Sequence, residues 1–445
     1  MFSGQTLSLV TQELQQQADL ASLAKQVESA KSKAQVLYEE VLNVIKRTQD
    51  ATIQSVSIDV TPIPKDSCQL KLYNTLKGHQ NKVAKICWNY DSSKILSASQ
   101  DGYMILWDAI TGYKKQAIQL DNPYVLTCSM SSNEKLVAGA GLDNICTIYK
   151  IKPDTSNVPV VTSSSINNKY NIQMHGNFYQ SIQSTFKGHS AYISECEFIG
   201  NNSIVTSSGD MTCMLWDITK GCKSRDFIDH IGDVLTMTIF PQNILNNNLF
   251  ISGSSDGYAK VWDLRSPTPT QNFQPSSIDV TSLKVFPDGN AFVLGTDDGL
   301  IRLFDLRSDC QLGQYNLNQE LRNNQNIINT SHKVLQSPKD YRNCGYQKQP
   351  LSSTTEKSFD KVSLNSMISN FENQGVFSLD FGKSGRFLYS CYSEFGCVVW
   401  DTLKNEIIGS IGSDHSDKIN KVAVSPDGIG LATGSWDSTI KVWSV

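Results

Sequence analysis

The chain has 445 residues, of which 39% are hydrophobic and 18% are charged, and its formal net charge is −4. This apolar fraction is enough for a large core and excludes a chain that is disordered throughout, while the acidic balance argues against nucleic acid as the main partner. No apolar run approaches the roughly 18 residues of a membrane-spanning helix. The 11 cysteines include no C-x-x-C pair, so we predict no metal, redox or cofactor site.

Residues 1–50 are predicted to form an α-helix that pairs with another helix. They contain no Pro and, beyond Gly4, no Gly. Apolar residues recur at alternating steps of three and four, the seam of a coiled coil: Leu20, Leu23, Val27, Ala30, Ala34, Leu37, Val41 and Val44. Its two alanines make the seam narrow, which favours one slender helical partner over the alternative, an amphipathic helix lying on the rest of its own chain. Residues 51–68, with Pro62 and Pro64, are predicted to be a connector.

Residues 69–445 carry a repeated ending, an aliphatic residue followed by an aromatic residue and, in most copies, Asp. The aromatic residues of the copies are Trp107, Tyr149, Trp216, Trp262, Phe304, Trp400 and Trp443. Four of the six intervals between them are 42–46 residues long, close to the roughly 40–45-residue period of a four-stranded propeller blade. The short strands are apolar on both faces, so neighbouring blades must cover them. The sequence therefore predicts an all-β, seven-bladed β-propeller preceded by a coiled-coil α-helix.

Two local features indicate how the blades turn and how the ring closes. Asp101-Gly102, repeated at 256–257 and 298–299, lies between apolar runs, and Asp-Gly predicts a type I′ hairpin turn with positive φ at both central residues. The last repeat ends at Trp443 on a third strand, so the last blade needs a fourth strand. The alternating segment from Gln69 to Leu76 is predicted to pair onto its outer edge.

Four of the six histidines open a repeat and are followed at similar distances by Ser or Thr, Asp and Trp. The sets are His79, Ser97, Asp101 and Trp107; His189, Thr206, Asp210 and Trp216; His230, Ser252, Asp256 and Trp262; and His415, Thr433, Asp437 and Trp443. One such set resembles a hydrolase triad. Four copies, each ending in a Trp N–H, instead indicate buried hydrogen-bond networks that lock the blades. The other histidines, His175 and His332, lie in or beside insertions, so we predict no enzyme.

The two long intervals between repeats indicate insertions, at about 153–183 and about 312–372. Both are polar and lack periodicity, which predicts flexible excursions on the rim. In the larger one, Ser337-Pro338 is a candidate site of proline-directed phosphorylation, although an unmodified linker fits the sequence equally well.

The repeats are similar to WD40 repeats, and several contain segments that resemble one particular WD40 family. The segments 96–102 (LSASQDG), 141–146 (GLDNIC), 206–210 (TSSGD) and 432–438 (ATGSWDS) resemble, in order, blades 1, 2, 3 and 7 of the β subunits of heterotrimeric G proteins. The resemblance runs from about residue 15 to 445, apart from the insertions. The large Ser/Thr-rich insertion before the sixth blade is similar to that of the pheromone-response β subunits of budding yeasts.

The resemblance implies the partners. The helix seam would pair with a small prenylated γ subunit, and the narrow top face of the propeller would bind a GDP-loaded α subunit, or downstream kinase and scaffold effectors once α is released. Carried over by position, the α-subunit and effector contacts are Lys82, Tyr124, Leu126, Leu142, Asn144, Tyr192, Asp233, Leu235, Asp279, Asp297 and Trp436. The expected location is the cytoplasmic face of the plasma membrane and the cytoplasm, with attachment only through lipidated partners.

Two positions depart from the family, Ala84 where an aromatic is usual and Thr281 where an amide is usual. Tyr124 and Leu126 replace Trp and Met, which keeps apolar area and changes shape. The alternative function is a WD40 scaffold, such as a corepressor, that associates with itself through the helix. A helical homotetramer would indicate that alternative, and a one-to-one complex with a small coiled-coil chain would indicate a G-protein β subunit.

Overall fold

The computed structural model describes residues 23, 25–41, 53, 57–58, 60–64, 70–152, 181–241, 248–323 and 374–444. It divides into two compact units, Met1–Val56 and Ser57–Val445. Among the described residues, no helix is both long enough and apolar enough to cross a bilayer. The described parts of the second unit contain seven four-stranded antiparallel sheets, the blades of a propeller.

In the first unit, residues 25–41 form a continuous helix, α1. This segment contains neither Gly nor Pro, so nothing in it interrupts the helical hydrogen bonds. All of its described side chains are exposed, including Val27, Leu37 and Val41 of the seam, each more than half accessible. The helix therefore presents its apolar seam uncovered.

The strands of the propeller follow one another blade by blade along the chain. Blade 1 contains β2 (Val83–Trp88), β3 (Lys94–Ser99), β4 (Tyr103–Asp108) and β5 (Lys114–Gln119). Blade 2 contains β6 (Val125–Met130), β7 (Leu136–Gly141), β8 (Ile145–Lys150) and β9 (Ile182–Lys187). Blade 3 contains β10 (Ile193–Ile199), β11 (Ser203–Ser208), β12 (Thr212–Asp217) and β13 (Cys222–Ile228). Blade 4 contains β14 (Val234–Ile239), β15 (Leu249–Ser254), β16 (Ala259–Asp263) and β17 (Pro269–Phe273).

The remaining blades complete the ring. Blade 5 contains β18 (Val280–Val285), β19 (Ala291–Thr296), β20 (Leu300–Asp305) and β21 (Cys310–Asn316), followed by helix α2 (Leu317–Asn323). Blade 6 contains β22 (Val376–Phe381), β23 (Phe387–Tyr392), β24 (Gly396–Asp401) and β25 (Glu406–Ile411). Blade 7 contains β26 (Ile419–Val424), β27 (Gly430–Ser435), β28 (Thr439–Ser444) and β1 (Lys71–Lys77). The strand named first in each blade is its inner strand. Each inner strand contacts the inner strand of the next blade, and β2 of blade 1 contacts β26 of blade 7, so the ring is closed.

The hydrophobic core lies between blades rather than within one of them. Between blades 7 and 1, Val83 and Ile86 pack against Ala432 and Ile440, and all four side chains are buried. Since each fully buried large apolar side chain contributes about 1.5–3 kcal/mol, the interfaces between blades stabilise the ring.

The closure predicted from the sequence is confirmed. β1 pairs antiparallel with β28, with Leu72 opposite Trp443 and Leu76 opposite Ile440. The first strand of the propeller thus becomes the outer strand of the last blade. Thr61 lies beside blade 6, where the Arg386 guanidinium donates to its carbonyl at 2.8 Å.

The prediction of type I′ turns is wrong. At the β3–β4 turn, the Gly102 amide donates to the Ser99 carbonyl at 3.2 Å, and Gly102 has a φ of 82° while Asp101 is not among the residues with positive φ. This is a three-residue loop, a type I turn followed by one left-handed residue. Asp101 instead accepts the Tyr103 amide through its side chain at 3.0 Å, which favours the ordinary negative φ.

The predicted insertion boundaries also need correction. Residues 182 and 183 belong to β9, so the first insertion ends earlier than 183. In the second, residues 312–316 continue β21 and residues 317–323 form α2. The Asn316 side chain caps α2 by accepting the Gln319 amide at 3.2 Å. Leu317 and Leu321 are buried, so this short helix has an apolar face that its polar neighbours concealed in the sequence.

Candidate functional site

The four His–Ser/Thr–Asp–Trp sets form closely similar networks. In blade 1, His79 Nδ1 lies 2.9 Å from Asp101 Oδ2 and its Nε2 lies 2.7 Å from Ser97 Oγ, while Trp107 Nε1 donates to the same Oγ at 2.8 Å. The corresponding distances in blades 3, 4 and 7 are all 2.7–2.9 Å. Each set joins the connection before the inner strand to β strands two and three of its blade.

These networks are structural, because their hydroxyl groups are sealed from solvent. Ser97 is 0% exposed, and its oxygen already accepts the Trp107 N–H, so no substrate reaches it. Burial by itself raises the pKa of Asp256, but hydrogen bonds from His230 and from the Ile231 amide outweigh burial and lower this pKa to about 2. The carboxylate therefore stays charged and holds its His in place. Within the described ranges, no three His, Cys, Asp or Glu side chains group as a metal site would need.

A second charge cluster lies among the inner strands, around the central channel of the ring. Lys85 and Lys421 each place Nζ 3.4 Å from Glu195, and Lys284 lies 3.1 Å from Asp380. Burial raises the pKa of Glu195, but the two lysines outweigh burial and bring it down to about 2. The lysines and carboxylates thus neutralise one another across the inner strands of different blades.

The top face is defined here as the end of the propeller where the inner strands begin and the turns between second and third strands lie. In every blade, a backbone amide of that turn donates to a carbonyl just before the inner strand. In blade 1 the Gln100 amide donates to the Lys82 carbonyl at 3.0 Å, and in blade 7 the Trp436 amide donates to the Lys418 carbonyl at 2.9 Å. The eleven positions carried over from the family all lie at these strand starts and turns. None of them is buried, so the structure places them together on one accessible face.

Trp436 lies where blades 7 and 1 meet. The Lys82 ammonium stands 3.6 Å from the centre of its ring, and that of Lys418 lies 5.4 Å away. Lys418 is held by Glu394 at 2.6 Å. The Trp436 side chain is partly exposed, and the lysines cover part of its ring. The indole is thus fixed before any partner arrives.

Other positions are fixed across blade boundaries. The Tyr192 hydroxyl of blade 3 donates to Asp233 of blade 4 at 3.0 Å, and burial, followed by this carboxylate, raises the pKa of Tyr192 to about 12. The Asn144 side chain of blade 2 donates to the Ser190 carbonyl at 3.2 Å. These bonds make the top face a preorganised surface rather than a set of independent loops.

Chemical character changes across the top face. Tyr124 and Leu142 of blade 2 are 57% and 51% exposed and form an apolar part. Asp279 and Asp297 of blade 5 are exposed and form an acidic part. Leu126 and Leu235 lie on inner strands and are partly exposed. Such a face suits a partner with apolar anchors on one side and basic residues on the other.

The sequence interpretation missed three apolar side chains at the same end of the blades. Ile231, Met211 and Ile278 are 82%, 43% and 38% exposed. A signal for Ile231 was present: it follows His230 directly, whereas the other three network histidines are followed by Gln or Ser. The apolar residue at this position differs from the polar residue of the other three sets, which makes Ile231 a candidate contact residue.

In the helix seam, Leu23, Val27, Ala30, Ala34, Leu37 and Val41 are exposed. Leu20 and Val44 lie outside the described residues, as do the candidate phosphorylation site Ser337 and both remaining histidines. Of the two departures from the family, Ala84 is buried in β2 and Thr281 donates to the Val376 carbonyl at 2.7 Å.

A closed ring of seven four-stranded blades, several locked by His–Ser/Thr–Asp–Trp networks, defines a WD-repeat β-propeller. Comparison with known proteins assigns the chain to a narrower family than the fold does. The family described as "G protein beta WD-40 repeat protein" matches residues 24–347, and the repeat "WD domain, G-beta repeat" matches residues 407–444. The chain belongs to the family of G-protein β subunits.

Three relatives illustrate the similarity. The chain is 39% identical to the "Guanine nucleotide-binding protein subunit beta" of Saccharomyces cerevisiae, over 95% of this chain and 91% of the relative. It is 37% identical to the protein of the same description from Dictyostelium discoideum, over 95% and 99%. It is also 37% identical to "Guanine nucleotide-binding protein G(I)/G(S)/G(T) subunit beta-1" of Homarus americanus, over 94% and 99%.

Proposed function

We propose that the chain works as the β subunit of a heterotrimer, binding a GDP-loaded α subunit through the top face and a small γ subunit through the α1 seam. The observation that carries the proposal is the position of the eleven family contact residues, all accessible and all at one end of the ring. The uncovered seam of α1 supports the second contact, since an exposed heptad stripe is stabilised by a partner helix.

The proposed cycle uses one surface for two mutually exclusive partners. Nucleotide exchange on α removes its complementarity to the top face, and the freed β–γ dimer presents that face to effectors such as kinases or scaffolds. The β subunit itself moves little, because bonds such as Tyr192–Asp233 hold its blades together. It performs no catalysis, and it reaches the plasma membrane through lipid carried by its partners.

A role in a pheromone response is the more specific part of the proposal. Two features support it: the similarity to a budding-yeast β subunit at 39% identity and the Ser/Thr-rich insertion before blade 6. Phosphorylation of Ser337 would then be a means of regulating the signal.

The test is the affinity of the Trp436→Ala protein for a GDP-loaded α subunit, measured by calorimetry. Because the indole is an aromatic anchor already fixed by Lys82 and Lys418, we expect a loss of about 2 kcal/mol, roughly 30-fold in Kd. The matched control is Tyr90→Ala, which removes a 58%-exposed aromatic at the opposite end of blade 1 and leaves Kd unchanged.

Equal Kd values for wild type and Trp436→Ala would contradict the assignment of the top face. The α subunit loaded with a GTP analogue provides a second arm, in which we expect little binding to either protein. Mass measurement in solution addresses the alternative function, because a homotetramer formed through the helix would indicate a self-associating scaffold instead.

A further inference from the structure

The face opposite the top face contains a groove that the proposed function does not use. It is a cavity of about 620 Å³ at the junction of blades 1, 2 and 3, within the size range of specific binding pockets. Its apolar lining is supplied by Leu106, Leu136, Ile151 and Ile218. We call it the blade 2 groove.

Hydrogen bonds from three blades hold the walls of the groove. The Lys152 amide donates to the Gln116 side chain of blade 1 at 3.1 Å. The Asn133 amide donates to the Asn201 side chain of blade 3 at 3.1 Å, and the Ile151 amide donates to the Lys135 carbonyl at 2.8 Å. The groove is therefore preformed, so a ligand need not order it on binding.

The rim of the groove is strongly basic although the whole chain has a net charge of −4. Four lysines line it, Lys94, Lys135, Lys150 and Lys152, against one carboxylate, Glu134. Lys94 lies 3.3 Å from Glu134. The other three are exposed, and in the described part of the chain no carboxylate forms an ion pair with them.

We propose that the blade 2 groove binds an acidic peptide segment of a partner protein, which inserts a large apolar side chain among the four aliphatic residues and places its carboxylates against the free lysines. Charge complementarity selects the acidic partner. Gln183 and Asn202, exposed at the rim, supply amide groups that suit a peptide backbone. The groove is at the opposite end of the blades from Trp436, so this partner and an α subunit can bind together.

The test uses an acidic peptide with fluorescein on its N-terminus, fluorescein-DELDFEEL-NH2, and fluorescence anisotropy with the full chain in its purified form. We expect saturable binding that weakens with added salt. Lys135→Glu with Lys152→Glu should raise Kd at least about tenfold, since two attractive charges become repulsive. The matched control is Lys77→Glu with Lys187→Glu, which makes the same charge change on exposed strand lysines outside the groove and should leave Kd unchanged.

Further probes separate the apolar and electrostatic contributions. The peptide fluorescein-DESDSEES-NH2 retains the charges without the apolar anchors and should bind more weakly than the first peptide. Absence of saturable binding by wild type, or equal loss in both double variants, would overturn the proposal. Lysine-dependent binding of the protein to phosphatidylserine vesicles without binding of the peptide would also overturn it, because the groove would then recognise a lipid surface. Affinity for an α subunit, measured in parallel, is expected to be the same in all variants.

Discussion

At the centre of each network, one hydroxyl oxygen satisfies two buried nitrogen atoms. In blade 7, Thr433 Oγ1 lies 2.8 Å from both His415 Nε2 and Trp443 Nε1, and Thr433 is 0% exposed. A buried polar atom that loses its partner costs about 1–3 kcal/mol. The stability of the blade thus depends on an atom that makes no contact with solvent.

Thr433→Val removes this oxygen and keeps the shape of the side chain. Because two buried nitrogens lose a partner, we expect the free energy of unfolding to fall by about 2–4 kcal/mol, measured by denaturant titration. Thr185→Val makes the same change at an exposed position of β9 and should cost less than about 0.5 kcal/mol. Equal stability of the two variants would show that the network does not stabilise blade 7.

The residues of the networks could be predicted from the sequence because each set repeats at regular spacing. The contact of the Lys82 ammonium with the Trp436 ring could not be predicted, because the two residues lie far apart in the sequence and meet only when blade 7 closes on blade 1. The turn type could not be predicted either: the Asp101 side chain bonds its own turn, and this local bond outweighs the preference of the Asp-Gly pair for positive φ.

At the level of elements, α1 is defined by an exposed seam. Leu23→Asp with Val27→Asp places two charges on that seam, and since a carboxylate in a coiled-coil core is strongly unfavourable, we expect loss of the γ subunit in co-purification. Ser29→Asp with Ser32→Asp adds the same charge to the helix away from the seam, and γ should remain bound. Retention of γ by the seam variant would exclude the seam as its binding site.

The second insertion shows where composition is a poor guide to structure. Polar residues around Leu317 and Leu321 concealed a short helix, because two apolar residues in one turn do not produce a readable period. Both leucines are buried, and Tyr315 just before them donates to the Thr402 carbonyl of blade 6 at 3.0 Å. The sequence correctly located the insertion but placed its start too early.

Deletion of residues 324–368 should therefore leave Tm unchanged within about 2 °C, because it spares α2. Deletion of 317–368 also removes two buried leucines, each worth about 1.5–3 kcal/mol, and should lower Tm clearly. Differential scanning calorimetry of the two proteins makes the comparison. A large fall in Tm for the shorter deletion would mean that residues beyond α2 support the propeller.

On the scale of the whole molecule, closure joins the two ends of the propeller into one sheet. β1 supplies the outer strand of blade 7, and Leu76 from β1 packs in the cluster that also contains Val83 of blade 1 and Ala432 of blade 7. The ring was predictable because seven similar endings require it and only the segment before the first repeat was left to complete the last blade. The same closure creates the Lys82–Trp436 contact of the proposed partner face, so stability and partner binding are linked at this junction.

Leu76→Ala tests the closure, because Leu76 is 1% exposed and its loss leaves a cavity where the ring closes. We expect a loss of about 2–5 kcal/mol, seen as one unfolding transition at lower temperature, because a ring of mutually covered blades unfolds as a unit. Leu72→Ala, on the same strand at 40% exposure, should cost far less. A separate early transition in the Leu76→Ala protein would show instead that blade 7 opens by itself, in which case the top face at Trp436 would open with it and α-subunit affinity would fall in parallel.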